Sequence, residues 1–177
     1  MAAMIAAVPA KAGKFAVTGN HEYYAGLDQA LEFTRKAGFT MLRNQSVTLP
    51  AGITISGVDD PAGRGRGLPA VAPSELQILS FLSPQQFQLL LKHRPLIAES
   101  GTSHFDLQLS GHVHKGQIFP FNLLVRMKFP IPCGTTTTRN GSTIHVSRGS
   151  GTWGPPMRLF APPEVTVIDI ISTSSDK

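Results

Sequence analysis

Six histidines stand in this chain of 177 residues: His21, His93, His104, His112, His114 and His145. Their settings carry the chemistry. Gly111-His112-Val113-His114 puts two imidazoles two residues apart. On an extended segment side chains repeat with period two, so both rings point to one face and can serve one metal or two adjacent metals. Gly111 lets the backbone turn sharply just before them. Gly19-Asn20-His21-Glu22 follows an apolar run. Asn20 offers a neutral amide oxygen, a hard ligand. His21 can donate a proton, and Glu22 can orient His21 as carboxylates do behind working imidazoles. The same tetrapeptide also reads as a Gly-Asn turn with a helix cap. His93 ends a third apolar run and is fixed by Arg94-Pro95; alone it is equally a structural residue. Cys133 is the only cysteine, so an intrachain disulfide and a cysteine-based zinc site are excluded. Any metal must use His, carboxylate, amide or water.

The elements that position these residues follow from the apolar pattern. Lys14 to Thr18 (KFAVT) is a short strand ended by Gly19. Gly26 to Lys36 predicts a helix, with Asp28 near its start and Arg35 and Lys36 near its end. Ile53 to Val58 alternates as a strand does. Pro61 to Pro73 is rich in Gly, Pro and Ala and reads as a mobile loop over 61–73. A short helix capped by Ser74 is expected from Ser74 to Phe81. Phe87 to His93, Leu107 to Ser110, Ser142 to Ser147 and Val165 to Ile171 are further strands, and 172–177 is a frayed tail. Polar residues thus gather at strand ends, where an α/β protein usually places a site.

Composition sets the outer bounds. With 41 % hydrophobic and 15 % charged residues, the chain suits one domain over 1–177 rather than a disordered segment. It has no apolar run of the roughly 20 residues that a membrane helix needs. It also lacks the basic segment that opens a signal peptide. The net charge is +5. Eight basic residues lie between Lys92 and Arg158, opposed only by Glu99 and Asp106. Such a half attracts phosphate, nucleic acid or an anionic membrane, and equally reads as a solvated basic face. With 7 % aromatic residues and no stacking platform, nucleic acid is disfavoured. Phe119 to Pro132 (FPFNLLVRMKFPIP) reads as an apolar, cationic loop beside the second His pair. It is suited to an anionic membrane surface or an acyl chain, or else to the core.

In combination these pieces resemble the calcineurin-like metallophosphoesterase superfamily. VTGNHEYYAG, LLLKHRPLI, FDLQLSGHVHKGQIFPF and VSRGSGTWGPPMRLFAPPEVTVIDI look like its bacterial branch that often follows an N-terminal membrane segment. The likeness runs from about Lys14 to Ile170. It implies an α/β fold, a four-layer αββα sandwich of mixed β-sheets. It also implies two divalent metals per complete site (manganese, iron, zinc, nickel or cobalt) acting on a phosphodiester or pyrophosphate substrate, of lipid type. By resemblance, Asn20, His93 and His112 ligate one metal and His114 the other. His21 lies near the scissile phosphoester as the proton donor, and Glu22 holds its tautomer. Two cations would neutralise phosphate oxygens and lower the pKa of a water.

The family pattern begins with Asp-x-His and Gly-Asp. The 18 residues before Gly19 contain no Asp, Glu or His, so neither motif has a counterpart here. The sandwich is therefore expected to be incomplete, like an N-terminally truncated domain. It would expose a sheet edge open to self-association and be impaired in hydrolysis. The competing expectation is a non-catalytic remnant that binds a single metal, phosphate or a partner chain. The chain as it stands is expected to be cytoplasmic, its parent membrane-associated or exported.

Overall fold

The computed structural model describes residues 1–64, 75–80, 82–83, 85–96 and 104–171. Strand β1 (Phe15–Ala16) pairs in parallel with β2 (Thr40–Met41) as a separate two-stranded sheet. Six further strands form one mixed sheet: β3 (Gln45–Thr48), β4 (Ile53–Val58), β5 (Phe87–Lys92), β6 (Leu107–Ser110), β7 (Gly134–Thr137) and β8 (Thr143–Val146). Their order is β3-β4-β5-β6-β8-β7. The four inner strands run parallel, and β3 and β7 close the two sides antiparallel. Helices α1 (Ala2–Ala6), α2 (Asn20–Ala25), α3 (Leu27–Lys36), α4 (Glu75–Ser80) and α5 (Phe121–Lys128) flank the sheets. This is an α/β arrangement of the metallophosphoesterase-sandwich type.

Burial explains the parallel centre. Leu90, Ile144 and Val146 on β5 and β8 are fully buried, with Leu79 of α4, Phe105, Val113 and Phe129 around them. A buried Leu or Ile of this kind contributes about 1.5–3 kcal/mol. Parallel strands carry their connections over the faces, so their carboxyl ends all open on one side. Here those ends lead into Asp59-Asp60, His93-Arg94 and Gly111-His112.

The predicted strands at Ile53 to Val58, Phe87 to His93, Leu107 to Ser110 and Ser142 to Ser147 form, as does the helix ending at Lys36. Three readings change, at 165–171, 119–132 and 14–18. Val165 to Ile171 forms no strand, and Val165, Val167 and Ile171 are strongly exposed. A β pattern needs an edge to pair with, and the side of β8 away from β6 is taken by β7. The expected loop 119–132 contains helix α5; Leu, Val, Arg, Met and Lys between flanking prolines favour a helix over eight residues. Pro61–Gly63 is a 3-10 turn capped by Asp60, while 65–74, including Ser74, lies outside the described residues. The Lys14 to Thr18 strand shortens to two residues.

Candidate metal centre at the strand ends

Thr18 ties the small sheet to the large one. Its buried hydroxyl donates to Asp59 Oδ1 at 2.9 Å and accepts from the Asp60 N–H at 3.1 Å. This carries Gly19 and Asn20 over the ends of β4, β5 and β6. Helix α2 starts there because Gly19 is an extended N-cap and Glu22 Oε2 accepts from the Gly19 N–H at 2.6 Å. Glycine is required at this position: a Cβ would stand 2.8 Å from His93 Cε1.

His93 is held from behind. Arg94 donates from Nε to Asp60 Oδ2 at 2.8 Å and from Nη2 to Oδ1 at 2.9 Å, and the Asp60 side chain is completely buried. Neighbouring Asp59 takes a bidentate contact from Arg43. These two carboxylates were not singled out from the sequence, although they follow a strand as the other site residues do.

Three donor atoms then meet. Asn20 Oδ1 lies 2.9 Å from His93 Nε2 and 3.1 Å from His112 Nδ1, and the two nitrogens are 3.1 Å apart. No assignment of protons makes all three contacts hydrogen bonds at once. If both nitrogens carry a proton to the amide oxygen, the two N–H groups oppose each other. If one is bare, its lone pair faces the oxygen's. A shared cation removes the conflict by drawing three lone pairs to one point. Donors at about 2.1 Å around an octahedral cation are themselves about 3 Å apart, so the residues fit one first-row divalent ion. They are all neutral, and among the described residues no three His, Cys, Asp or Glu side chains form a metal-binding group. Charge balance for a second cation is missing from this cluster.

His114 lies in the same cavity but is otherwise engaged. Arg158 Nη2 donates to its Nδ1 at 2.9 Å, which leaves the neutral ring a proton on Nε2. The Arg158 guanidinium also donates to the carbonyls of Arg148, Gly149 and Ala161. The sequence reading counted Arg158 only among the basic residues after Lys92 and gave it no place in the site. His112 and His114 come together through a turn, not an extended segment: both have positive φ (69° and 47°), and His114–Gly116 is a 3-10 turn. Gly111 is not the turning residue. His21 is exposed at the start of α2, its ring edge-on to Tyr24 at 5.7 Å. The carboxylate of Glu22 is spent on the helix cap, so its described contact runs to Gly19 and not to His21.

Asn20, His21, His93, His112 and His114 all line one cavity of about 350 Å³. Its other wall is apolar, made by Phe121, Leu124, Val125, Phe129 and Trp153. The Phe129 ring stands edge-on to His112 at 5.5 Å. Desolvation lowers the pKa of both His93 and His112 to about 4, and burial with Arg158 nearby lowers that of His114. All three are therefore neutral at pH 7, the form a cation needs.

The shift has a sign that can be measured. Between pH 6.5 and 4 the unfolded chain binds protons that the folded chain refuses. Metal-free stability is therefore full above about pH 6.5 and falls as the pH drops towards 4. The loss is on the order of 3 kcal/mol for His93 and less for His112, whose ring is more open to solvent. Urea midpoints in a chelator across this window read it out, and a flat profile would show that the rings protonate freely.

The chain is similar in sequence to several known proteins. The chain is 43 % identical over 171 residues to an uncharacterized metallophosphoesterase of Aquifex aeolicus, covering 96 % of this chain and 65 % of that protein. It is 40 % identical over 160 residues to an uncharacterized metallophosphoesterase of Campylobacter jejuni, covering 89 % and 42 %. It is 37 % identical over 175 residues to one of Bacillus subtilis, covering 92 % and 57 %. The chain thus spans less than two thirds of the length of each of these relatives. No family model and no solved structure matches it. No helix among the described residues is long and apolar enough to cross a membrane.

Proposed function

Since the chain belongs to the metallophosphoesterase family, we propose that the cavity binds a divalent cation and a phosphoester, and that hydrolysis of that ester is its ancestral chemistry. The observation that supports this most is the convergence of Asn20 Oδ1, His93 Nε2 and His112 Nδ1. These atoms would hold the cation. When bound, it supplies neutralisation of phosphoryl charge and an acidified water. The protein's own groups do the rest. His114, fixed through Nδ1 by Arg158, presents Nε2–H to a phosphoryl oxygen. His21 at the open side of the cavity gives a proton to the leaving oxygen. Val113 and Phe129 close the inner side to water.

A second reading has its own support: the donors are neutral, and Asp59 and Asp60 are committed to Arg43 and Arg94. On this reading the chain binds one cation or phosphate without rapid turnover, and a dinuclear site needs carboxylates from outside this sequence. Elemental analysis of the manganese-loaded chain, with bis(4-nitrophenyl) phosphate turnover measured beside the Aquifex relative, separates them. One metal per chain with turnover far below the relative's is the expected result. Two metals with comparable turnover would overturn the impairment, and no metal would overturn the site.

A further inference from the structure

The apolar wall of the cavity does not stop at its mouth. Successive residues of a helix turn by about 100°, so Phe121, Leu124 and Val125 of α5 face the cavity while Leu123 and Met127 continue the same apolar arc outwards. Asn122 and Arg126 take the opposite arc. Met127 is 83 % exposed, and Leu123 and Leu124 are more than half exposed. A second element completes the rim. Gln117 Nε2 donates to the Trp153 carbonyl at 2.7 Å, and Gln117 Oε1 accepts from the Trp153 N–H at 2.8 Å. Phe119 and Phe160 meet edge-on at 6.1 Å. The segment with exposed Trp153, Met157 and Phe160 is thereby fastened beside α5.

We propose that this rim docks on an anionic lipid bilayer. Contiguous exposed apolar surface of this kind marks an interaction site, and the charge around it selects the partner. Lys115 precedes α5 and Arg126 and Lys128 lie on it, with no Asp or Glu between Leu107 and Pro163, whereas Arg148 is paired with Glu164 and Arg158 donates to backbone carbonyls. A second copy would bring the same positive charge against itself. A bilayer with anionic headgroups accepts both the cations and the apolar side chains, and Trp153 belongs at such an interface. The proposal uses none of the metal donors and stands independently of turnover.

Trp153 is the chain's only tryptophan and reports directly. The full chain is mixed with vesicles of phosphatidylcholine alone or with about 30 % phosphatidylglycerol. The expected result is flotation with the anionic vesicles only, a blue shift of Trp153 emission, and quenching by lipids brominated at shallow acyl positions. The double variant L123S/M127S keeps every charge and touches no cavity residue. It should lose about tenfold in partitioning, with circular dichroism confirming its fold. Equal binding by this variant would reduce the effect to charge attraction and overturn the proposal. So would absence of flotation, or a wild-type dimer that the variant abolishes in the absence of vesicle binding.

Discussion

Replacing His112 by alanine is expected to lower the affinity for Mn²⁺ or Zn²⁺ by about two orders of magnitude, since only three protein donors converge and one is lost. Alanine at His93 should do the same. Alanine at Asn20 should cost less, about tenfold, because a neutral amide oxygen is the weakest donor of the three. Titration against a chromophoric chelator at pH 7 measures all three. The metal-free His112→Ala chain should keep nearly the wild-type urea midpoint, because the ring borders an open cavity and its removal relieves the conflict among the three atoms. An affinity left unchanged by His112→Ala would place the cation elsewhere. A large loss of metal-free stability would instead make the cluster a structural network that no cation needs.

Asp60→Ala is the substitution expected to harm the fold most. Its carboxylate is fully buried and holds Arg94 through two hydrogen bonds, with a third from the Ala62 N–H. Removing one partner of a buried pair leaves the other charge uncompensated, which costs about 3–5 kcal/mol. Arg94 is 23 % exposed and can turn partly to water, so about 3 kcal/mol is the expected loss in urea unfolding. Arg94→Ala should cost about as much, since it strands the buried carboxylate. The double variant should recover a large part of the loss, as a double-mutant cycle will show. The chain end that carries His93 is fixed by the same pair, so Asp60→Ala should also weaken metal binding. A stability change below about 1 kcal/mol would mean that the pair is solvent-screened and does not anchor the site.

Much of this was legible along the chain because the signals were local. The apolar runs of β4, β5 and β6 end in polar residues, and that pattern is complete within six or seven residues. Helix α3 shows its period and its terminal charges in ten residues. The grouping of polar residues was legible too: Asn20, His21, His93, His112 and His114, picked by residue type and by resemblance, line one cavity. The misreadings occurred where a local signal depends on a distant partner. Val165 to Ile171 has a strand's pattern but no free edge beside β8. Phe119 to Pro132 reads as a loop by its prolines, yet α5 forms where Val125 and Phe129 can pack on the core. Glu22 suits a partner for His21, but its carboxylate takes the otherwise unsatisfied Gly19 N–H at the helix start.

Sequence by itself determined the local elements, the excess of positive charge after Lys92 and the identity of the candidate donors. Only the tertiary structure decided that Asn20 meets residues 73 and 92 positions further on. It also decided that His112 and His114 reach one cavity through left-handed turns, and that Asp60 and Arg158 hold two of the histidines from behind. The reason is physical. Periodicity and residue chemistry act over one or two turns of chain, whereas the meeting of side chains depends on strand order, parallel direction and the points at which strands end. Those are properties of the packed sheet and of no single segment.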